Sequence, residues 1–316
     1  MTTLKVAIGQ LSPVLLDREA TLHKVHETMR EAAGQGAKLI AFGEGLAPGY
    51  PYWPERTNGA TFDCDLQKAL HAEYQRQAVD ITGGGLGETC ALAGVLGLAV
   101  YLGVIERATD RSHHSLFASL VYIDPKGQIG SVHRKLQPTY DERLNWAPGD
   151  GHGLQVHDLH GFRVGGLNCW ENWMPLPRAA LYGQGENVHV AAWPGSLRNT
   201  GDITRFLAKE GRSFVLSASS LMKSDWIPDH LPGAGQMKGD GEAWLTDGGS
   251  CIAGPDGEWI VEPVQFREGL ITAELDLDAV YRERQNFDPA GHYSRPDVTR
   301  LVVNRSRQST VEFEDS

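Results

Sequence analysis

The segments LKVAIGQ (Leu4 to Gln10) and AKLIAFGE (Ala37 to Glu44) bracket the stretch that decides the fold. Each is a short apolar run of strand length. Between them, from Asp17 to Ala33, Leu22, Val25 and Met29 recur at helical spacing on one face, and Gly34 and Gly36 end the helix. A strand, a helix and a second strand in this order imply a right-handed crossover between parallel strands. The sheet they start must then be covered by helices.

The alternation continues outward from that unit. Helical spacing predicts helices over about Asp63–Asp80, Leu86–Leu96, Pro175–Gln184 and Asp202–Gly211. Strands are expected at Leu98–Glu106, Ser115–Ile123, Gln128–Arg134, Phe162–Asn168, Val188–Trp193 and Phe214–Ser219, with closing strands near Ser250–Ala253, Trp259–Val261 and Leu270–Leu275. The turn sequences DPKG (Asp124–Gly127) and GPDG (Gly254–Gly257) join neighbouring strands, so part of the sheet is antiparallel. No repeat or low-complexity linker appears, which favours one α/β domain over residues 1–280. The extension 281–316 turns polar and irregular, and is expected to serve assembly by wrapping a neighbour, or to be partly disordered.

Composition bounds the function. Lys and Arg number 29 against 40 Asp and Glu, a net charge of −11 that argues against nucleic acid or an anionic membrane as partner. The longest apolar run, Cys90 to Ile105, is too short and too glycine-rich for a membrane span. Four scattered cysteines, Cys64, Cys90, Cys169 and Cys251, form no CxxC pair and suit a reducing compartment. MTTLKVAIGQ runs directly into a strand with no signal peptide in view, so a cytoplasmic location is expected. GGGLGE (Gly83–Glu88) lacks the ending of a phosphate loop and reads as a helix-start loop.

Three residues suggest chemistry. Cys169, in GLNCWENWMPL, sits where a strand gives way to a helix opened by Pro175, and the outward-pointing amides of such a turn favour a thiolate or an oxyanion. By itself such a cysteine is more often an inert buried thiol. Glu44 ends an apolar strand before a loop dense in glycine and proline, and Lys135 ends another beside Gln137–Pro138. Separately they read as a turn cap and a solvated side chain. All three share one position, the end of a strand entering an irregular loop, where α/β sheets build their sites. A thiol, a carboxylate and an ammonium form a set for acyl transfer: nucleophile, base, and a cation for developing charge. The set needs no metal and no organic cofactor, and it contains no histidine of the Cys–His kind.

FGEGLAPGYP, HRKLQPTYDERLNWAPGDG and GGLNCWENWMPLPR resemble, in order and spacing, the three signature regions of the nitrilase (carbon–nitrogen hydrolase) superfamily. The likeness runs from Lys5 to about Asp278 and continues into DPAGHYSRPD. The CWEN context, the HRKLQPT run and the GHYSRPD block are similar to the nitrilase branch. The resemblance implies a four-layer α-β-β-α sandwich, a homodimer that builds larger spirals or filaments, and a Cys169–Glu44–Lys135 triad with Glu142 as a second acid. It further implies hydrolysis of a small-molecule nitrile to acid and ammonia through a covalent intermediate on Cys169. An amidase, an N-carbamoylase or a nitrile-hydrating enzyme uses the same scaffold, and a non-enzymatic scaffold protein is the reading outside catalysis. Tyr50, Trp53, Trp170 and Trp193, each near a strand end, point to a pocket for an aryl or bulky aliphatic nitrile, although each is equally readable as a core aromatic. His133 is placed to hydrogen-bond into the site or to support it.

Overall fold

A computed structural model describes residues 2–241, 243–311 and 314. The opening unit is β1 (Thr3–Gln10), α1 (Arg18–Gly34) and β2 (Leu39–Phe42), with β1 and β2 parallel. After α2 (Trp53–Arg56), α3 (Asp65–Gln77) and α4 (Gly87–Leu96), the first sheet adds β3 (Ala99–Ala108), β4 (Ser115–Ile123) and β5 (Ile129–Arg134). The second sheet is built from β6 (His157–Leu159), β7 (Phe162–Asn168), β8 (Val188–Trp193), β9 (Phe214–Ser219), β10 (Leu221–Lys223), β11 (Trp244–Ala253) and β12 (Trp259–Gln265). It carries α5 (Pro175–Tyr182), α6 (Leu197–Gly211) and α7 (Ala234–Lys238). The last strand, β13 (Gly269–Asp276), returns to the first sheet and leads into α8 (Leu277–Arg284). The first sheet has the order β13-β1-β2-β3-β4-β5, and the second β10-β11-β9-β8-β7-β6, with β12 on β11.

Side-chain parity makes the layers. Successive strand residues point to opposite faces, so a strand buried on both sides must be apolar throughout. In β1, Leu4, Val6 and Ile8 meet Val188, Val190, Leu216 and other second-sheet residues between the sheets. Ala7 turns the other way and joins Ile40, Phe42, Val25 and Met29 beneath α1 and α4. On the far side Ala191, Trp193 and Val215 pack on Ile203, Leu207 and Ala208 of α6. Helix, sheet, sheet, helix is the expected α-β-β-α sandwich. Among the described residues no helix is long and apolar enough to cross a membrane; the Cys90–Ile105 run divides between α4 and β3.

Three differences from the sequence reading have local causes. α6 begins at Leu197 rather than Asp202, because its polar first turn hides its period. β11 begins at Trp244 rather than Ser250, since Gly248 and Gly249 imitate a turn while acting as strand irregularities at positive φ. α8 crosses the 280/281 division, and the extension beyond it docks on its own chain. Arg307 pairs with Asp150 at 3.0 Å and donates to Val132 O, while Gln308 N also donates to Asp150.

Candidate active site

Both sheets send strand ends to one buried cluster, of which Cys169 and Glu142 also line an adjoining hollow while Glu44 and Lys135 do not. Glu44 lies two residues beyond β2, and its N–H donates to Trp193 O at the end of β8 (3.0 Å), tying the first sheet to the second. Close backbone approach makes this possible: a Cβ on Gly103 would lie 2.1 Å from Gly43 O, and one on Gly43 2.7 Å from Trp193 O. Lys135 directly follows β5, where its N–H donates to Ala118 O of β4. Cys169 directly follows β7, at φ 51 in the left-handed region. A non-glycine residue held there carries strain of about 1–3 kcal/mol, and such strain clusters at functional positions.

These side chains converge. Lys135 Nζ lies 2.8 Å from Glu44 Oε1 and donates to Glu142 Oε2 at 2.7 Å. The Glu44 contact is one of charge rather than of a directed hydrogen bond, and neither Glu44 oxygen has a hydrogen-bond partner among the described residues. Cys169 sulfur and one oxygen each of Glu44 and Glu142 lie within 4.8 Å of one another. Spacing of that kind also suits a metal ion, but the Lys135 ammonium already sits against both carboxylates and fills the cationic position. Glu142 further accepts from Tyr50 Oη (2.9 Å) and Thr139 N (2.6 Å). Trp146 places its ring 5.5 Å from Lys135 Nζ.

Burial sets the proton affinities. It raises the Glu44 carboxyl to about 8, with the Lys135 charge pulling the other way and Glu142 and Glu171 adding to the rise. Burial and then Glu44 push the Cys169 thiol up, against the pull of Lys135 and a hydrogen bond from the Trp170 N–H. For Lys135, burial alone would favour the neutral amine, but the Cys169, Glu44 and Glu142 charges outweigh it and keep the ammonium. The thiol thus rests beside an acid poised near its own working range.

The hollow has a volume of ≈ 220 Å³. Cys169 and Glu142 line its floor, with Tyr50, Tyr52, Trp170 and Leu245 as apolar walls and Asp141, Arg198, Asn199 and Thr246 as polar ones. Of the expected aromatics, Tyr50 and Trp170 face it. Trp53 does not: it is buried against Tyr74, edge to face at 4.8 Å, behind the Tyr50–Tyr52 wall. Trp193 does not either, because strand parity turns its ring under α6, where Nε1 donates to Ser217 Oγ. His133 is also outside the lining, since the buried Glu171 carboxylate holds its Nε2 at 3.1 Å. The wall is therefore a mixed one, less aromatic than the sequence suggested.

Glu171 and Asn172 were not singled out by sequence reasoning. Glu171 accepts from Leu136 N (2.5 Å) and Asn168 N (2.9 Å), so one carboxylate joins the loop after Lys135 to the turn before Cys169. The signal was present: Asn168 with Glu171, and Thr139 with Glu142, have the spacing of a capping box, and each glutamate reaches back to the N–H three residues earlier.

Fold and site together define the class: an α-β-β-α sandwich whose strand ends gather a thiol, two carboxylates and an ammonium. The carbon-nitrogen hydrolase family matches residues 5–285. "Nitrilase 2" from an unknown prokaryotic organism is 38% identical, over 98% of this chain and 95% of its own length. The aliphatic nitrilase of Sinorhizobium fredii (strain HH103) is 35% identical over 98% of this chain and 99% of that one. The bifunctional nitrilase/nitrile hydratase NIT4 of Oryza sativa subsp. japonica is 36% identical over 98% and 87%. Among solved structures, an amidase from Nesterenkonia sp. superposes with a TM-score of 0.63 at 17% identity, covering 90% of this chain and 94% of that one, a likeness of fold. The chain belongs to the carbon-nitrogen hydrolase family, in its nitrilase branch.

Proposed function

We propose that the protein hydrolyses an organic nitrile to the carboxylic acid and ammonia, with Cys169 as nucleophile, Glu44 as general base and Lys135 as the stabilising cation. The observation that carries this reading is the buried cluster itself, a sulfur within 4.8 Å of two carboxylates that share one ammonium. Glu44 takes the thiol proton and the thiolate adds to the nitrile carbon. Negative charge then grows on nitrogen, where Lys135 and the Trp170 N–H meet it. Protonation gives a thioimidate. Water, deprotonated by Glu44, adds to that carbon, ammonia leaves, and a thioester remains. A second water releases the acid, so one nitrile and two waters give one acid and one ammonia. Glu142 holds Lys135 in place through the 2.7 Å bond.

Incubation with a panel of nitriles and the matching amides, with ammonia and acid as readouts, tests this directly. Nitriles are expected to turn over and the amides to react far more slowly. Faster release of ammonia from the amides would replace the proposal with an amidase.

The same proposal includes self-association and a cytoplasmic location. Trp173, Met174 and Leu176 beside Cys169, and Phe206 on α6, are large apolar side chains left exposed on the single chain. A second copy of the chain is the occupant proposed for this face, as the first step of a larger homo-oligomer. Light scattering is expected to show a multimer that Leu176→Glu weakens. Four unpaired cysteines fit a reducing compartment.

A further inference from the structure

The hydrolytic steps leave one buried polar chain unused. Asn172 Nδ2 donates to the carbonyl oxygens of Cys169 (2.8 Å) and Leu167 (3.3 Å). Its Oδ1 lies 2.7 Å from His189 Nε2, and His189 Nδ1 lies 2.9 Å from Glu186 Oε1. All three side chains are buried, and none lines the hollow. Two arginines pack on the chain: Arg178 Nη1 donates to Asn172 O, and Arg284 Nη2, from α8, donates to Glu186 O.

A proton count restricts this arrangement. The Asn172 amide must offer its NH₂ to the two carbonyls, because its oxygen there would face two acceptors. Oδ1 therefore faces His189, and Nε2 must carry a hydrogen. A neutral imidazole would then set the bare lone pair of Nδ1 against a carboxylate oxygen. The 2.9 Å contact is attractive only with one more proton in it, on Nδ1 or on Glu186. The chain is thus directional from His189 Nε2 through Asn172 to the Cys169 carbonyl, and the Glu186 link completes it with a proton shared between Nδ1 and the carboxylate.

We infer that Glu186, His189 and Asn172 form a strut, with Asn172 as the positioning residue that holds the left-handed turn at Cys169. The turn aims the sulfur at Glu44 and sets the Trp170 N–H beside it. The inference rests on Cys169 being the nucleophile, and Asn172 acts through it without touching substrate.

Asn172→Asp keeps the shape and the His189 contact but turns an oxygen toward the two carbonyls. It is expected to lower kcat about 100-fold, the scale of a misplaced reacting group, with KM little changed. Alkylation of Cys169 by iodoacetamide, followed by mass spectrometry, should slow in parallel. A strut merely supporting the fold would lower Tm and leave both rates alone. Glu186→Gln can donate its NH₂ to a neutral His189 Nδ1 and rebuild the strut, so it should recover most of the kcat lost in Glu186→Leu. A folded Asn172→Asp protein with wild-type kcat and alkylation overturns the inference. If that variant does not fold, equal activity of the two Glu186 variants overturns it instead. A wild type that alkylates at Cys169 but turns over no nitrile overturns the substrate reading, and slowed alkylation in Asn172→Asp would then still uphold the strut.

Discussion

The two sheets serve one site by different means. The first delivers charges: Glu44 after β2 and Lys135 after β5, with Glu142 beyond, all buried and all defined by what they do to one another's protons. The second delivers a conformation, a turn after β7 at φ 51 that presents a sulfur and an amide, held by Glu171 and Asn172. Damage on the first side should therefore be read in pH dependence and in electrostatic stability. Damage on the second should be read in rate at every pH.

The largest effect falls where the two meet. Cys169→Ala removes the nucleophile and is expected to lower kcat on the order of 10⁵–10⁶-fold, as in other covalent hydrolases. Ammonia release checks it, and circular dichroism and Tm should stay close to wild type. Substantial turnover by that folded variant would break the assignment. Lys135→Met strikes the charged side alone. Its loss leaves Glu44 and Glu142 facing each other without the shared cation, and breaking a buried pair in this way costs about 3–5 kcal/mol. Chemical denaturation should show that cost growing with pH, as the carboxylates ionise. A cost independent of pH would mean that the cluster is held by packing.

The Glu44 proton gives the next effect. With its carboxyl raised to about 8, the base is mostly protonated at neutral pH, so kcat/KM should climb as pH rises through that region. Stability has the opposite slope. The folded chain holds the Glu44 proton more tightly than the unfolded chain, whose value is near 4.5. The stability it contributes is full below 4.5 and is lost as pH rises to about 8 and beyond. Glu44→Gln carries no such proton. It should lose activity by about 10²–10⁴-fold while its Tm advantage over wild type widens from pH 6 to pH 9. A gap that narrows over that range would contradict the raised carboxyl.

The same division governs what could be read from the sequence. Glu44, Lys135 and Cys169 were legible because strand ends are legible: a short apolar run stops, and the next polar residue stands at the sheet edge. Parity defeated the reading of Trp193 on β8, and the packing of α2 against Tyr74 that of Trp53, since which way a ring turns depends on the layer beneath it and not on its distance from a strand end. His133 was ambiguous for a related reason, because its partner Glu171 lies 38 residues away on the other sheet. Glu142 had a role only through the family resemblance and none from its own residues, where the T-x-x-E spacing marked no more than a turn; the fold brings it to Lys135. The helix α8 was hidden by the polar composition of the segment after β13, where a short amphipathic helix and an irregular tail look alike.

Glu171 sits on the border between the two sides, and Glu171→Gln tests whether the border is real. Burial would raise this carboxyl, but His133 and the amides of Leu136 and Asn168 outweigh it and hold it low. Its charge is the smallest of the named influences that lift Glu44. A glutamine removes that charge, so the rising limb of kcat/KM should move to slightly lower pH. It also has one acceptor oxygen where the carboxylate had two, so either Leu136 N or Asn168 N loses its partner. An unpaired buried donor costs about 1–3 kcal/mol. A group held low in the folded state contributes its full stability above its unfolded value of about 4.5 and loses it as pH falls below that, through the lower folded value, so the variant's deficit should be largest at neutral pH and shrink toward acid. A shifted limb with an unchanged plateau would place Glu171 with the charges of the first sheet. A lowered plateau with an unmoved limb would place it with the turn that holds Cys169. Both together, the expected result, would mean that one carboxylate couples the conformation of the second sheet to the proton of the first.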